Sequence, residues 1–201
     1  MNWMLKKLRL RRLAACEAGV SSIEFAFIAP VLIMFMLGSL TMFDAMRATR
    51  QMSTAAQVVS DLVTRLDTIS DEQRDAVFLA AEALLGRYGE SEETNFVITS
   101  VANLLHDNSD DLYVVWSEAK EEGTELTNDD LDAFSFPQIP NGEAVILIQT
   151  EMEYQPVAVG FGLPTELKFE DIAIRRPRFV AEVCYRVSED EETCSSDLEY
   201  D

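Results

Sequence analysis

The sequence predicts an α+β protein in which one long N-terminal helix carries a β-sheet. Three observations predict it. Residues 20–43 form an almost unbroken apolar run. Residues 44–69 keep apolar side chains at helical spacing, with a polar face opposite. Beyond about residue 95 the chain changes to short β-branched and aromatic stretches separated by Gly, Pro, Asn and Asp. Helix first and strands after is the order of a sheet packed on a helix, mainly antiparallel, rather than of alternating βαβ units.

The apolar run Val20–Phe43 has 24 residues, about 36 Å of helix at ~1.5 Å per residue, enough to cross a hydrocarbon core of roughly 30 Å. Ahead of it stand Lys6, Lys7, Arg9, Arg11 and Arg12, whereas the trailing flank has Asp44 with Arg47 and Arg50. That asymmetry predicts a single-pass protein of the inner membrane with a cytoplasmic N-terminus and a periplasmic remainder. The expected organisation is a basic leader (1–19), a transmembrane helix (20–43), an amphipathic stem (44–69) and an extracytoplasmic α+β domain (70–201). Pro30 removes one backbone hydrogen bond inside the span and is expected to kink or loosen it, a cost that neighbouring helices absorb. Leu13-Ala14-Ala15-Cys16 is not a lipoprotein signal, because basic residues occupy the place of its apolar region, and Arg11-Arg12 lacks the flanks of a twin-arginine signal.

Glu24 is the single ionisable residue in the run. A carboxylate costs about 2.5–3.5 kcal/mol at mid-bilayer and less near the interface, so Glu24 either snorkels to the headgroups or finds a cation. The stretch Gly19-Val20-Ser21-Ser22-Ile23-Glu24-Phe25 resembles a prepilin processing site, where the cut follows the glycine and a glutamate lies five residues past it. A glycine suits such a cut because a backbone without a side chain lies close in a protease cleft. Cleavage would create an α-amino cation at Val20, one helical turn from Glu24, in the same chain or in a neighbour docked beside it.

Glu24-Phe25-Ala26-Phe27-Ile28-Ala29-Pro30-Val31-Leu32, then Gly38, then a polar helix with Gln51, Ala55, Ala56 and Gln57, resembles the TadE-like proteins of the tight-adherence (Flp) pilus system over about residues 17–66. A weaker echo lies in Glu153-Tyr154-Gln155-Pro156-Val157 and Arg176-Pro177-Arg178-Phe179. The resemblance implies a pilin-like fold and a pseudopilin, processed by a prepilin peptidase and required for assembly of a type IVb pilus. It also implies other pilins or pseudopilins and the tight-adherence secretion apparatus as partners. TadE, TadF and TadG types stay open, although the chain is short for the von Willebrand-like domain of some TadG proteins. From another class, an uncleaved, membrane-anchored periplasmic binding or sensor protein would share the same topology.

Past the stem, a second helix is expected from Asp71 to about Arg87, capped by Ser70, with Asp71 and Glu72 in its first turn and Gly89 past its end. Strands are expected at Phe96–Val101, Leu112–Ser117, Glu143–Tyr154, Thr165–Ile174 and Arg178–Val187. In the last, Phe179, Ala181, Val183, Tyr185 and Val187 alternate with Val180, Glu182, Cys184 and Arg186, which predicts one buried and one wet face. Residues 118–133 read as a polar, acidic excursion.

The chain has 16 Lys plus Arg against 36 Asp plus Glu, net -20. Removing the five bases and Glu17 of the leader leaves 11 against 35, net -24, which argues against nucleic acid or anionic lipid as a ligand of the soluble domain. Cys16 belongs to the leader. Cys184 and Cys194, in an oxidising compartment with nine residues between them, are the natural disulfide, worth roughly 2–3 kcal/mol in the chain-entropy model; a metal site lacks further ligands there. His106 has no sequence neighbour that would make it a nucleophile's base, and no phosphate loop, zinc spacing or serine elbow occurs. The acidic runs Asp107–Asp111 and Asn128–Asp132 lack the spacing of an EF-hand loop and read as solvated loops. Neither an enzyme nor a cofactor is therefore expected.

Overall fold

The computed structural model describes residues 18–88, 94–106, 109–120, 123–156, 166–188 and 191–197. Residues 1–17 of the basic leader, with Cys16, and Gly89, Asp107 and Asn108 lie outside them. Helix α1, Ala18–Val63, is 46 residues long, about 69 Å at ~1.5 Å per residue, and Pro30 sits inside it without ending it. Its first half is bare. Burial begins at Thr41 and continues through Ala45, Ala48, Met52, Ala55, Ala56, Val59 and Val63, a step of three or four residues that keeps one face toward the rest of the chain. Four of these are alanines, and their small side chains let strands come close to the helix backbone.

The helix ends before the predicted boundary of 69. The Thr64 N–H and hydroxyl both donate to the Ser60 carbonyl, at 3.0 and 2.8 Å, and Leu66 N–H donates to Val63 O at 3.0 Å in a tighter turn. Ile69 is fully buried, but from strand β1, Thr68–Ser70, where it pairs with Tyr185. A buried residue at helical spacing was the wrong guide because a strand one turn further on satisfied the same position.

Helix α2, Asp71–Leu85, starts with a capping box. Ser70 Oγ accepts from the Gln73 N–H at 3.4 Å and the Gln73 side chain accepts from the Ser70 N–H at 3.0 Å. It stops two residues short of Arg87, at Gly86, whose φ of 56° favours glycine. A 3₁₀ turn, Gly86–Tyr88, follows. Val77, Phe78, Ala81 and Leu85 are its buried residues, in the same core as the stem.

Strands β2 (Thr94–His106), β3 (Ser109–Ala119), β4 (Ala144–Tyr154) and β5 (Leu167–Arg175) form an antiparallel sheet in the order β3-β2-β4-β5. Phe96, Ile98, Ile146, Ile148 and Met152 share the large core with α1 and α2. Val101 and Val145 belong to a second core with Ile139 and with Leu131 of the 3₁₀ turn Asn128–Ala133. Cover on both faces explains why Ala144–Ile148 is continuously apolar instead of alternating. The supposed acidic excursion thus contributes a lid residue. A register shift at Ser100/Val101 lets neighbours Val115 and Trp116 both join the large core, and Trp116 Nε1 donates to Val183 O at 2.7 Å.

A second, small sheet replaces part of the expected last strand. Strands β6 (Cys184–Ser188) and β7 (Glu191–Thr193) pair antiparallel, and β6 pairs parallel with β1. Residues 178–182 bend instead. Pro177 precedes them, the Arg178 N–H is taken by Thr64 O at 2.9 Å, and Ala181 O accepts from the Ala144 N–H at 2.9 Å, so the backbone groups of this segment cap other elements. Phe179 is consequently 75% exposed, whereas Val183 and Tyr185 are buried as the alternation predicted. Cys184 and Cys194 are joined in a disulfide with Cα atoms 4.8 Å apart.

Met52 is fully buried between stem and sheet, whereas Leu62 is 41% exposed. Met52→Ala is expected to cost about 2–5 kcal/mol and Leu62→Ala within ~0.5 kcal/mol, checked by denaturant unfolding of the detergent-solubilised chain.

Candidate assembly segment and membrane-proximal anchor

Gly19 and Val20 lie in the first turn of α1, and Glu24 follows Val20 by one helical turn, exposed among Ile23, Phe25 and Phe27. Between Ser22 and Leu40 no side chain is buried by the rest of the protein. Phe35 is 76% exposed. Among the described residues this is one helix long and apolar enough to cross a membrane, with a mean hydropathy of 2.2 over its most apolar window. It is consistent with a single membrane anchor.

The soluble part is fastened where the apolar run ends. Asp44 is the first charged residue after Phe43, and its side chain is 15% exposed. Tyr154 OH, from the end of β4, donates to Oδ2 at 2.8 Å; Tyr88 OH, after α2, donates to Oδ1 at 2.9 Å. Arg87 Nη2 donates to the same Oδ1 and, at 2.7 Å, to the Tyr88 hydroxyl, with its guanidinium carbon 4.7 Å from the Tyr88 ring centroid. Tyr154 also stacks at an angle on Phe169 of β5, with centroids 5.7 Å apart. One carboxylate therefore gathers α1, the turn after α2, β4 and, through the rings, β5.

Burial alone would raise the Asp44 pKa, but the Tyr154 and Tyr88 hydrogen bonds and the Arg87 and Arg47 charges hold it below the ordinary carboxylate value. The Tyr154 hydroxyl is pushed up to about 12, by burial first and then by its bond to the Asp44 carboxylate. The hydrogen bond contributes to both shifts, because the bonded state is a neutral phenol donating to an ionised carboxylate.

At the other end of β6, Arg74 of α2 donates to Glu118 of β3 at 2.7 Å and to Tyr185 OH at 2.8 Å, and Tyr185 OH donates to Asp71. This cluster locks α2 to both sheets. The acidic run 128–132 is likewise structural. Asp130 accepts from the Thr127 N–H at 2.8 Å and hydroxyl at 2.7 Å, and Asn128 Oδ1 accepts from the Val114 N–H at 2.7 Å. Glu182 lies beside the disulfide, but both sulfurs are bonded to each other and its carboxylate accepts from the Ser195 N–H at 3.1 Å. The backbone of His106 closes β2.

Residues 19–61 match the family described as TadE-like protein. A TadE-like domain is present. It takes in the glycine at the candidate cut, Glu24, the apolar half of α1 and almost all of the helical stem, and it stops two residues before the helix does. No curated protein and no solved structure matches the chain. The α+β part that the TadE-like domain carries is thus described by its own geometry.

Sequence reasoning counted Asp44 only in the flanking charge and quoted Tyr154 only within a family-like stretch. The two are 110 positions apart, and no local spacing connects them. The available signal was that Asp44 is the first ionisable side chain past the span. Replacing Tyr154 by Phe removes a hydrogen bond to a charged group and is expected to cost about 1.5–3 kcal/mol. The loss should depend on pH. Asp44, with a lowered value, contributes in full above the ordinary carboxylate range and loses its contribution as pH falls through that lowered value. Tyr154, with a raised value, contributes in full below its ordinary 10.0 and loses its contribution toward about 12. Thermal unfolding of wild type and Tyr154→Phe should therefore differ most between those limits and converge outside them.

Proposed function

We propose that this protein is a membrane-anchored pseudopilin, cut by a prepilin peptidase between Gly19 and Val20 and required for assembly of a tight-adherence type IVb pilus. The observation that carries this reading is one helix with two halves inside a TadE-like domain: an apolar half left bare from Ser22 to Leu40, and a stem whose face is buried by an antiparallel sheet. That division is what a pilin-like subunit needs, since the bare half can pack helix to helix while the sheet travels with the stem. The basic leader supports a cytoplasmic N-terminus and a periplasmic domain. The disulfide suits an oxidising compartment.

In this reading Glu24 sets register. An exposed carboxylate among apolar side chains is costly in hydrocarbon, and the amine freed at Val20 of a neighbouring subunit would neutralise it. The partners are the prepilin peptidase, other pilins or pseudopilins and the tight-adherence secretion apparatus, and the role is structural rather than enzymatic.

The deciding measurement is the N-terminal sequence and intact mass of the protein from membranes of its own host. A chain beginning at Val20, lighter by 19 residues, is expected; a chain retaining Met1 would leave an uncleaved, anchored binding or sensor protein. Glu24→Ala is expected to be cleaved as wild type and to assemble poorly, as read by shed or surface pili. Normal pili from that variant would remove the pairing role.

A further inference from the structure

We propose that Arg47 and Arg50 bind phosphates of phospholipid headgroups in the extracytoplasmic leaflet and so fix how far α1 rises out of the membrane. The inference rests on the membrane-anchored reading of α1 and adds to it a ligand and a depth.

Positions 43, 46, 47 and 50 lie on one face of the helix. Phe43 is 67% and Met46 49% exposed, and both arginines are exposed. That face therefore passes from apolar to cationic within two turns. At ~1.5 Å per residue the Cα atoms of Arg47 and Arg50 stand about 6 and 10 Å beyond Phe43. The headgroup layer is roughly 5–8 Å thick on each side of the hydrocarbon core. Side chains on a helix point back toward its N-terminus, here toward the bilayer, so both guanidiniums reach down into the phosphate layer while their stems lie along apolar surface.

Six of the nine arginines among the described residues are tied to carboxylates, among them Arg65 to Asp61, Arg74 to Glu118 and Arg87 to Asp44; of the other three, Arg175 acts by its charge on Asp61 at the far end of the stem, and only Arg47 and Arg50 flank the apolar run. Among the described residues no carboxylate lies within ion-pair distance of Arg47 or Arg50, in a chain with 36 acidic residues. Asp44, the nearest acid along the helix, has its oxygens occupied by Tyr88, Tyr154 and Arg87, and Arg47 acts on it only through its charge. Two unpaired cations on the trailing flank also oppose the asymmetry that orients the span, a cost that phosphate contacts offset. The acidic domain as a whole is repelled by anionic lipid; the contact is a local exception at its base, and zwitterionic lipid phosphate serves equally well.

The test is carbon–phosphorus dipolar dephasing in solid-state NMR. The full chain, with isotope-labelled arginine, is reconstituted in phosphatidylethanolamine/phosphatidylglycerol bilayers without free phosphate. With the leader arginines Arg9, Arg11 and Arg12 replaced by lysine in both forms, guanidinium carbons should dephase against lipid phosphorus, and Arg47→Gln/Arg50→Gln should lose most of that dephasing. Alkaline carbonate extraction is run alongside. A chain that stays in the membrane but shows equal dephasing in both forms, or none, overturns the proposal alone; the second result would point to carboxylates of a neighbouring copy as the true partner. A chain that carbonate strips from the membrane overturns this proposal and the anchored reading together.

Discussion

One helix here has to satisfy two surroundings, and the rest of the structure follows from where it changes between them. Up to Leu40 the surface of α1 is apolar on all sides, which water does not tolerate over that length and hydrocarbon does. From Thr41 onward only one face is buried, and the buried positions are small or flexible: Ala45, Ala48, Met52, Ala55, Ala56. A sheet needs close approach to a helix to exclude water, and a row of alanines provides it without a groove. The large apolar side chains come from the sheet instead, with Phe96, Ile98, Ile146 and Ile148 filling the space the alanines leave.

The change of surroundings is marked by a charge. Asp44 sits at the first position where a carboxylate is tolerable and is then held by three donors. Hydrogen bonds to an ionised group at a half-dry site are stronger than neutral ones, so the base of the domain is pinned at the membrane side as firmly as the top is pinned by Arg178 N–H on Thr64 O.

Much of the fold was legible because its signals are local. Ser70 and the acidic residues of the first turn mark the start of α2 to the residue, since capping chemistry acts within one turn, whereas the glycine that ends it is Gly86 and not the expected Gly89. β4 was legible from length and β-branched content. Two misjudgements share a different cause. Ile69 and Phe179 each fit a periodic pattern, yet a period reports burial and not the element that provides it, and both lie in the segments that cross at the end of the stem. There the backbone hydrogen bonds of residues 178–182 go to α1 and β4, a non-local allocation that no window of sequence reveals. Of the candidate site, Glu24 and the glycine before it were visible as departures from an apolar run, and the cysteines through compartment and count. The Asp44 cluster was not, because its members come from three distant stretches and only the fold brings them together.

The distribution of charge follows from the same geometry. A chain with 36 acidic and 16 basic residues would repel itself if its cations were spread evenly as solvated surface charge. Instead three arginines stand at junctions: Arg87 where α2 meets the stem, Arg74 where α2 meets both sheets, and Arg178 where the last segment meets the end of α1. Each is placed where elements distant in sequence converge and where an unpaired carboxylate would otherwise be partly desolvated. The acidic excess is left to the outer surface, where water screens it. These three cations thus act as fasteners between elements, and the acidic residues outnumber the basic ones on the rest of the surface. Any partner that approaches it from the side meets repulsion, unless it is basic or arrives already aligned by the helices in the membrane.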